Sequence, residues 1–99
     1  MLRDAPGNGT PYEVRETIQF DADWRREIQQ GNLNPMVAPS DLLFIKMLLA
    51  QQPYSGRWQP GTPYDSRTIV LARVFEIGYY VVEDDRAVYL DTIVFIGGN

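Results

Sequence analysis

The chain contains no cysteine and no histidine. The first absence excludes a disulfide framework and any thiolate metal site, and it accords with a reducing compartment. The second removes the commonest general base near neutral pH and the commonest zinc ligand. Any chemistry would fall to carboxylates, tyrosines, arginines or backbone groups. Positive charge is scarce as well: 9 Lys+Arg against 13 Asp+Glu give a formal charge of -4 over 99 residues. Residues 1–50 carry five basic and seven acidic groups, and residues 51–99 carry four and six. Neither half is a basic tail, and the basic stripe that phosphate contacts demand is missing, so nucleic acid is not an expected partner. Long apolar runs are also missing. No stretch is long enough to cross a bilayer, and MLRDAPGNGTPYE has no signal-peptide core. The expectation is a cytoplasmic protein with no membrane partner, no metal and no cofactor.

What is present is a 44% apolar chain with the length of one domain. Residues 1–11, with Pro6, Gly7, Gly9 and Pro11, read as a flexible leader, and residues 12–99 as one α+β domain. YEVRETIQF, from Tyr12 to Phe20, alternates as a strand does. Asp21 is a candidate N-cap for a short helix in which Trp24 and Ile28, four apart, share a face, and Gly31 and Asn32 end it. Ser40 can cap a second helix, DLLFIKMLLAQQ, with Asp41 near its positive end. Leu42, Ile45 and Leu49 form one apolar face of it and Leu43, Met47 and Ala50 an adjoining one, so this helix is either sandwiched or waiting for a partner.

Residues 53–66 form a loop rich in proline and glycine. Three strands are expected beyond it: RTIVLARVFEI from Arg67 to Ile77, then YYVVE after a bend at Gly78, then Ala87 to Ile96 beyond an acidic turn. Ile69, Leu71 and Phe75 should share one side of the sheet, with Val70, Ala72 and Val74 on the other. In the last strand Val88, Leu90, Val94 and Ile96 fall on one parity and Ala87, Ile93 and Phe95 on the other. The order β-α-α-β-β-β predicts a curved, mostly antiparallel four-stranded sheet with both helices on one face.

Among the polar residues, Tyr79 and Tyr80 must point to opposite faces, one into the core and one outward, where it could stack on a base or anchor an interface. Arg25 and Arg26 are the densest positive charge. Trp58, beside Arg57, either pins the loop to the sheet or stands ready for a partner. Glu76, Glu83 and Asp91 offer a solvent edge more readily than a catalytic carboxylate pair.

The stretch RVFEIGYYVVEDDRAVYL, with the element order from Tyr12 to Ile96, resembles the RelE/ParE superfamily of toxins from bacterial toxin–antitoxin pairs. Arg73-Val74-Phe75, Gly78, Tyr80, Val81-Val82 and the Glu83-Asp84-Asp85 turn occupy the family's recurrent positions. The resemblance implies a small cytoplasmic protein neutralised by an antitoxin chain, with a second copy of itself as the other candidate partner. It makes Arg73 the sheet arginine able to hold a phosphate or carboxylate, with Arg67 second, or else a counter-charge for Glu76, Glu83 or Asp91. Some members cut messenger RNA on the ribosome and others inhibit DNA gyrase. Missing histidine, acidic balance, an uncharged segment after Asp91 and Tyr80 in place of an arginine all weigh against RNA cleavage. The expectation is therefore a toxin-like protein acting by binding, with gyrase as a candidate target, in preference to an enzyme. A non-toxic binding module is the alternative.

Overall fold

The computed structural model describes residues 11–96. The elements run β1 (Glu13–Glu16), α1 (Ile18–Gln29), α2 (Ala38–Gln51), β2 (Arg57–Gln59), β3 (Asp65–Leu71), β4 (Phe75–Val82), a 3-10 turn (Glu83–Asp85) and β5 (Ala87–Phe95). The sheet has five strands in the order β1-β5-β4-β3-β2. All neighbours are antiparallel except β1 and β5, which are parallel. Both helices cover one face. The expected leader at residues 1–11 falls, but for Pro11, outside the described residues.

Three expectations need correction. The strand count is five, because Arg57–Gln59 inside the loop pairs with Ser66–Thr68. The extended segment Arg67–Ile77 is two strands. A turn at Ala72 and Arg73, both at positive φ (54° and 67°), folds β3 onto β4, closed by Val74 N–H donating to Leu71 C=O at 3.3 Å. Two successive positive φ angles are the mark of a primed hairpin turn. Neither residue is the Gly, Asn or Asp that normally signals one. The pairing still places Ile69, Leu71 and Phe75 on the helix side, since Leu71 faces Phe75 and Ile69 faces Ile77. Third, β5 does not keep one parity. Gly78 pairs with Thr92 but Tyr79 with Leu90, so Asp91 is an extra residue, a β-bulge. It switches the buried set from Val88 and Leu90 to Ile93.

The first helix starts earlier than expected. Thr17, not Asp21, is its N-cap, and its hydroxyl accepts from Phe20 N–H at 3.1 Å. Gly31 at φ 80° closes the other end: Asn32 N–H donates to Glu27 C=O and Gly31 N–H to Ile28 C=O, the paired bonds of a Schellman motif. The second helix begins at Ala38, with a proline in its first turn and no side-chain cap from Ser40. Ala38, Leu42, Ile45 and Leu49, at helical spacing, bury one stripe of α2 against Leu71, Phe75, Ile77, Tyr79 and Val81 of the sheet. Phe20, stacked on Trp24 at 6.1 Å, is the fully buried anchor of α1. Lys46 on α2 pairs with Glu16 on β1, tying helix to edge strand.

Candidate functional site

The face of the sheet away from the helices is open. Cross-strand register places Glu13 and Arg15 of β1, Tyr89 of β5, Tyr80 of β4 and Ser66 and Thr68 of β3 on it. Tyr64, Tyr80 and Tyr89 stack across the strands, with ring centroids 4.8 and 5.2 Å apart and interplanar angles of 18° in both pairs. Each such offset pair adds about 0.5–1.5 kcal/mol beyond its buried area. Arg15 caps one end, its guanidinium 5.4 Å from the Tyr89 ring centre and Nη1 donating to the Tyr89 hydroxyl at 2.6 Å. Tyr89 in turn donates to Asp85 at 2.7 Å. The other end, at Tyr64, is 53% exposed.

The electrostatics of this face are balanced pair by pair. Arg15 binds Glu13 at 2.8 Å, and Arg57 lies 3.8 Å from Glu76. The Glu13 carboxyl is held below its ordinary range by Arg15. Burial, then the Asp91 carboxylate, pushes the Tyr80 hydroxyl up. The bond to Asp85, then burial, does the same for Tyr89. Both hydroxyls are therefore carried further from ionising at neutral pH. Among the described residues no group of three potential ligands could hold a metal ion.

Beside the ladder lies a recess of about 200 Å³, with Gly78 as floor, Thr68, Thr92 and Tyr80 around it, and Asp91 and Gln59 at its sides. The loop that supplies Gln59 is held from the helix side by Tyr79. Its buried hydroxyl donates to Pro53 C=O at 2.8 Å and accepts from Gly56 N–H at 2.9 Å. Arg67 finishes the fastening, donating to Asp65 and to the carbonyls of Tyr54 and Gly56 at 2.9–3.0 Å.

The six residues singled out from the sequence therefore separate. Tyr80 lies at the centre of the ladder. Arg67 turns to the helix side and clamps the loop. Trp58, paired with Arg67, stands 58% exposed on that same side, so the loop is pinned by Tyr79 and Arg67. Arg73 is at the hairpin tip, exposed, with no ion pair or hydrogen bond among the described residues. Arg25 and Arg26 lie on α1, paired with Asp21 at 2.9 Å and Asp23 at 3.0 Å, remote from the open face. Sequence reasoning missed Arg15 and Tyr64 on the open face. Strand alternation put Arg15 opposite Val14, but only the parallel pairing with β5 brings it to Tyr89.

A second surface lies on α2. Leu43, Phe44 and Met47 are exposed on it, Phe44 and Met47 by 67% and 62%. A groove of about 350 Å³ beside them runs between the helices, lined by Trp24, Pro39, Leu42, Leu43 and Lys46.

A parallel-edged antiparallel sheet with two helices on one face defines a small α+β class, and comparison with solved structures places the fold within it. The fold is that of RelE/ParE toxins. A chain of the RelBE2 toxin–antitoxin complex from Mycobacterium tuberculosis superposes with TM-score 0.68 at 15% identity, covering 88% of this chain and 93% of that one. The isolated E. coli RelE toxin gives 0.65 at 16%, covering 89% and 87%. The chromosomal ParDE system from P. aeruginosa gives 0.60 at 19%, covering 90% and 100%. No family model and no curated protein matches the sequence.

Proposed function

We propose that this chain is a toxin-like protein of a type II toxin–antitoxin pair that acts by binding a protein, with DNA gyrase as the candidate target, and not by cutting RNA. The observation that carries this reading is the open face itself. Among the described residues its arginines, Arg15 and Arg57, lie 2.8 and 3.8 Å from a carboxylate, its centre is a stack of tyrosines, and the chain has no histidine. Holding a polyanion needs unpaired cations, and cutting it needs a group that moves a proton near neutrality. Stacked tyrosines instead are the side chains enriched where proteins meet. The likeness to chains of toxin–antitoxin complexes supports an antitoxin as the natural partner, and the exposed Leu43, Phe44 and Met47 supply an apolar surface for it in a cytoplasmic complex. Arg73, exposed at the hairpin tip and without an ion pair among the described residues, is the arginine best able to reach a target.

Expression in a bacterial host tests the reading. Growth arrest with DNA damage and intact messages supports it, and arrest with cleaved messages overturns it. A second reading, a non-toxic binding module, draws on the same paired charges and would show as the absence of arrest.

A further inference from the structure

We propose that the recess beside the tyrosine ladder accepts a basic side chain, an arginine, presented by the protein partner; this rests on the protein-binding reading above. The recess holds about 200 Å³, below the ~300 Å³ at which pockets for whole small molecules begin. It has the capacity for one side chain and not for a nucleotide. Its floor is open because residue 78 is glycine: a Cβ there would stand 2.5 Å from Thr92 Oγ1.

The chemistry around it favours a donor that carries positive charge. Thr68, Thr92 and Tyr80 supply hydroxyl oxygens, Gln59 an amide, and Asp91 a carboxylate that can only accept. The β-bulge is what delivers Asp91, since the residue is the unpaired extra member of β5. Thr17 Oγ1 holds its Oδ1 at 3.2 Å, and among the described residues no hydrogen bond reaches Oδ2. Among the described residues no ion pair to Asp91 is seen. Arg67, whose chain borders the recess, gives its guanidinium to Asp65 and two loop carbonyls, and Arg15 and Arg57 are paired with Glu13 and Glu76. The negative balance of the chain attracts a cation and repels a phosphate. A guanidinium, planar and weakly hydrated, matches acceptors set around a flat floor better than an ammonium does.

The test is an NMR titration of the full chain with Gly-Arg-Gly, Gly-citrulline-Gly and Gly-Glu-Gly, following the amides of Thr68, Gly78 and Thr92. Citrulline keeps the shape of arginine and removes its charge. The proposal expects saturable shifts at these three amides with the arginine peptide, at least tenfold weaker binding of the citrulline peptide, and none of the glutamate peptide. Asp91→Asn should weaken the arginine peptide about tenfold while the remaining spectrum stays that of the folded protein. Should that variant not fold, Gly78→Ala, which fills the floor, should abolish the shifts. Equal binding of arginine and citrulline, or shifts at these amides with oligouridylate in place of the arginine peptide, overturns the proposal. Neither antitoxin nor growth enters the titration, so an empty recess leaves the toxin reading standing, and a harmless protein leaves the recess standing.

Discussion

Replacing Tyr79 by phenylalanine removes one oxygen atom and should cost far more than that suggests. The ring is 2% exposed, and its hydroxyl bridges Pro53 C=O and Gly56 N–H, the only bridge between them among the described residues. Phenylalanine fills the same space, so no cavity forms. What is lost is satisfaction of two loop backbone groups in a region where Pro53 and Gly56 are both buried. A buried polar group left without a partner costs about 1–3 kcal/mol. Two of them, partly relieved by water entering from the loop side, give roughly 2–4 kcal/mol, a large share of the ~5–15 kcal/mol by which domains are stable. At about 4–8 °C per kcal/mol for a domain of this size, the midpoint should fall by roughly 10–25 °C. Urea unfolding at unchanged m-value measures the loss, and hydrogen exchange locates it, with Gly56 and Gln59 amides opening first. The space around Gly56 gives an internal control: a Cβ there would lie 2.5 Å from the Tyr79 hydroxyl and 2.7 Å from Thr68 C=O. Gly56→Ala should therefore cost less in the Tyr79→Phe background than alone. A loss under about 0.5 kcal/mol for Tyr79→Phe, the size of an uninvolved surface change, would refute the claim that this hydroxyl holds the loop.

Replacing Ala72-Arg73 by Asn-Gly should raise stability by about 1–2 kcal/mol, because both positions are at positive φ where these residues are at ease; urea denaturation reads it, and the expression assay shows whether the Arg73 charge matters to a target. Glu83, which accepts from the hydroxyls of Tyr12 and Tyr54, has its carboxyl held low by those bonds, Tyr54 first. Its contribution is thus full above the ordinary glutamate value of 4.5 and lost as pH falls through the folded value, so Glu83→Gln should flatten the acid limb of a stability–pH curve. Arg15→Ala should leave the fold intact and loosen one end of the ladder, seen as faster ring motion and a changed near-ultraviolet spectrum of Tyr89.

The parts of the fold written in side-chain periodicity were legible. The α2 stripe of Leu42, Ile45 and Leu49, and the opposite facing of Tyr79 and Tyr80, follow from spacing alone. The parts decided by backbone geometry were not. The hairpin between β3 and β4 hides because Ala72 and Arg73 carry no turn signature. The bulge hides because Asp91 looks like one more polar residue on a strand. The short β2 hides because a Pro/Gly-rich loop contains three residues that happen to face a free edge. That one of Tyr79 and Tyr80 faces outward was readable, but not that it is Tyr80. Its partners came from three other places in the chain, and pairing register, which no local pattern encodes, brings them together.

The parallel β1–β5 pair sets the order in which the molecule can be finished. Glu13–Glu16 meets Ala87–Leu90, some seventy positions later in the chain, and closing so long a span is the slow, late kind of event in folding. On the ribosome the first strand emerges without its neighbour and must wait while both helices and the β3–β4 hairpin are made. Arg15 cannot meet Tyr89 until the last strand is present, nor can Tyr89 take its place beside Tyr80. The open face is thus assembled only at the end of synthesis, and no truncated chain that stops short of the last strand can present it.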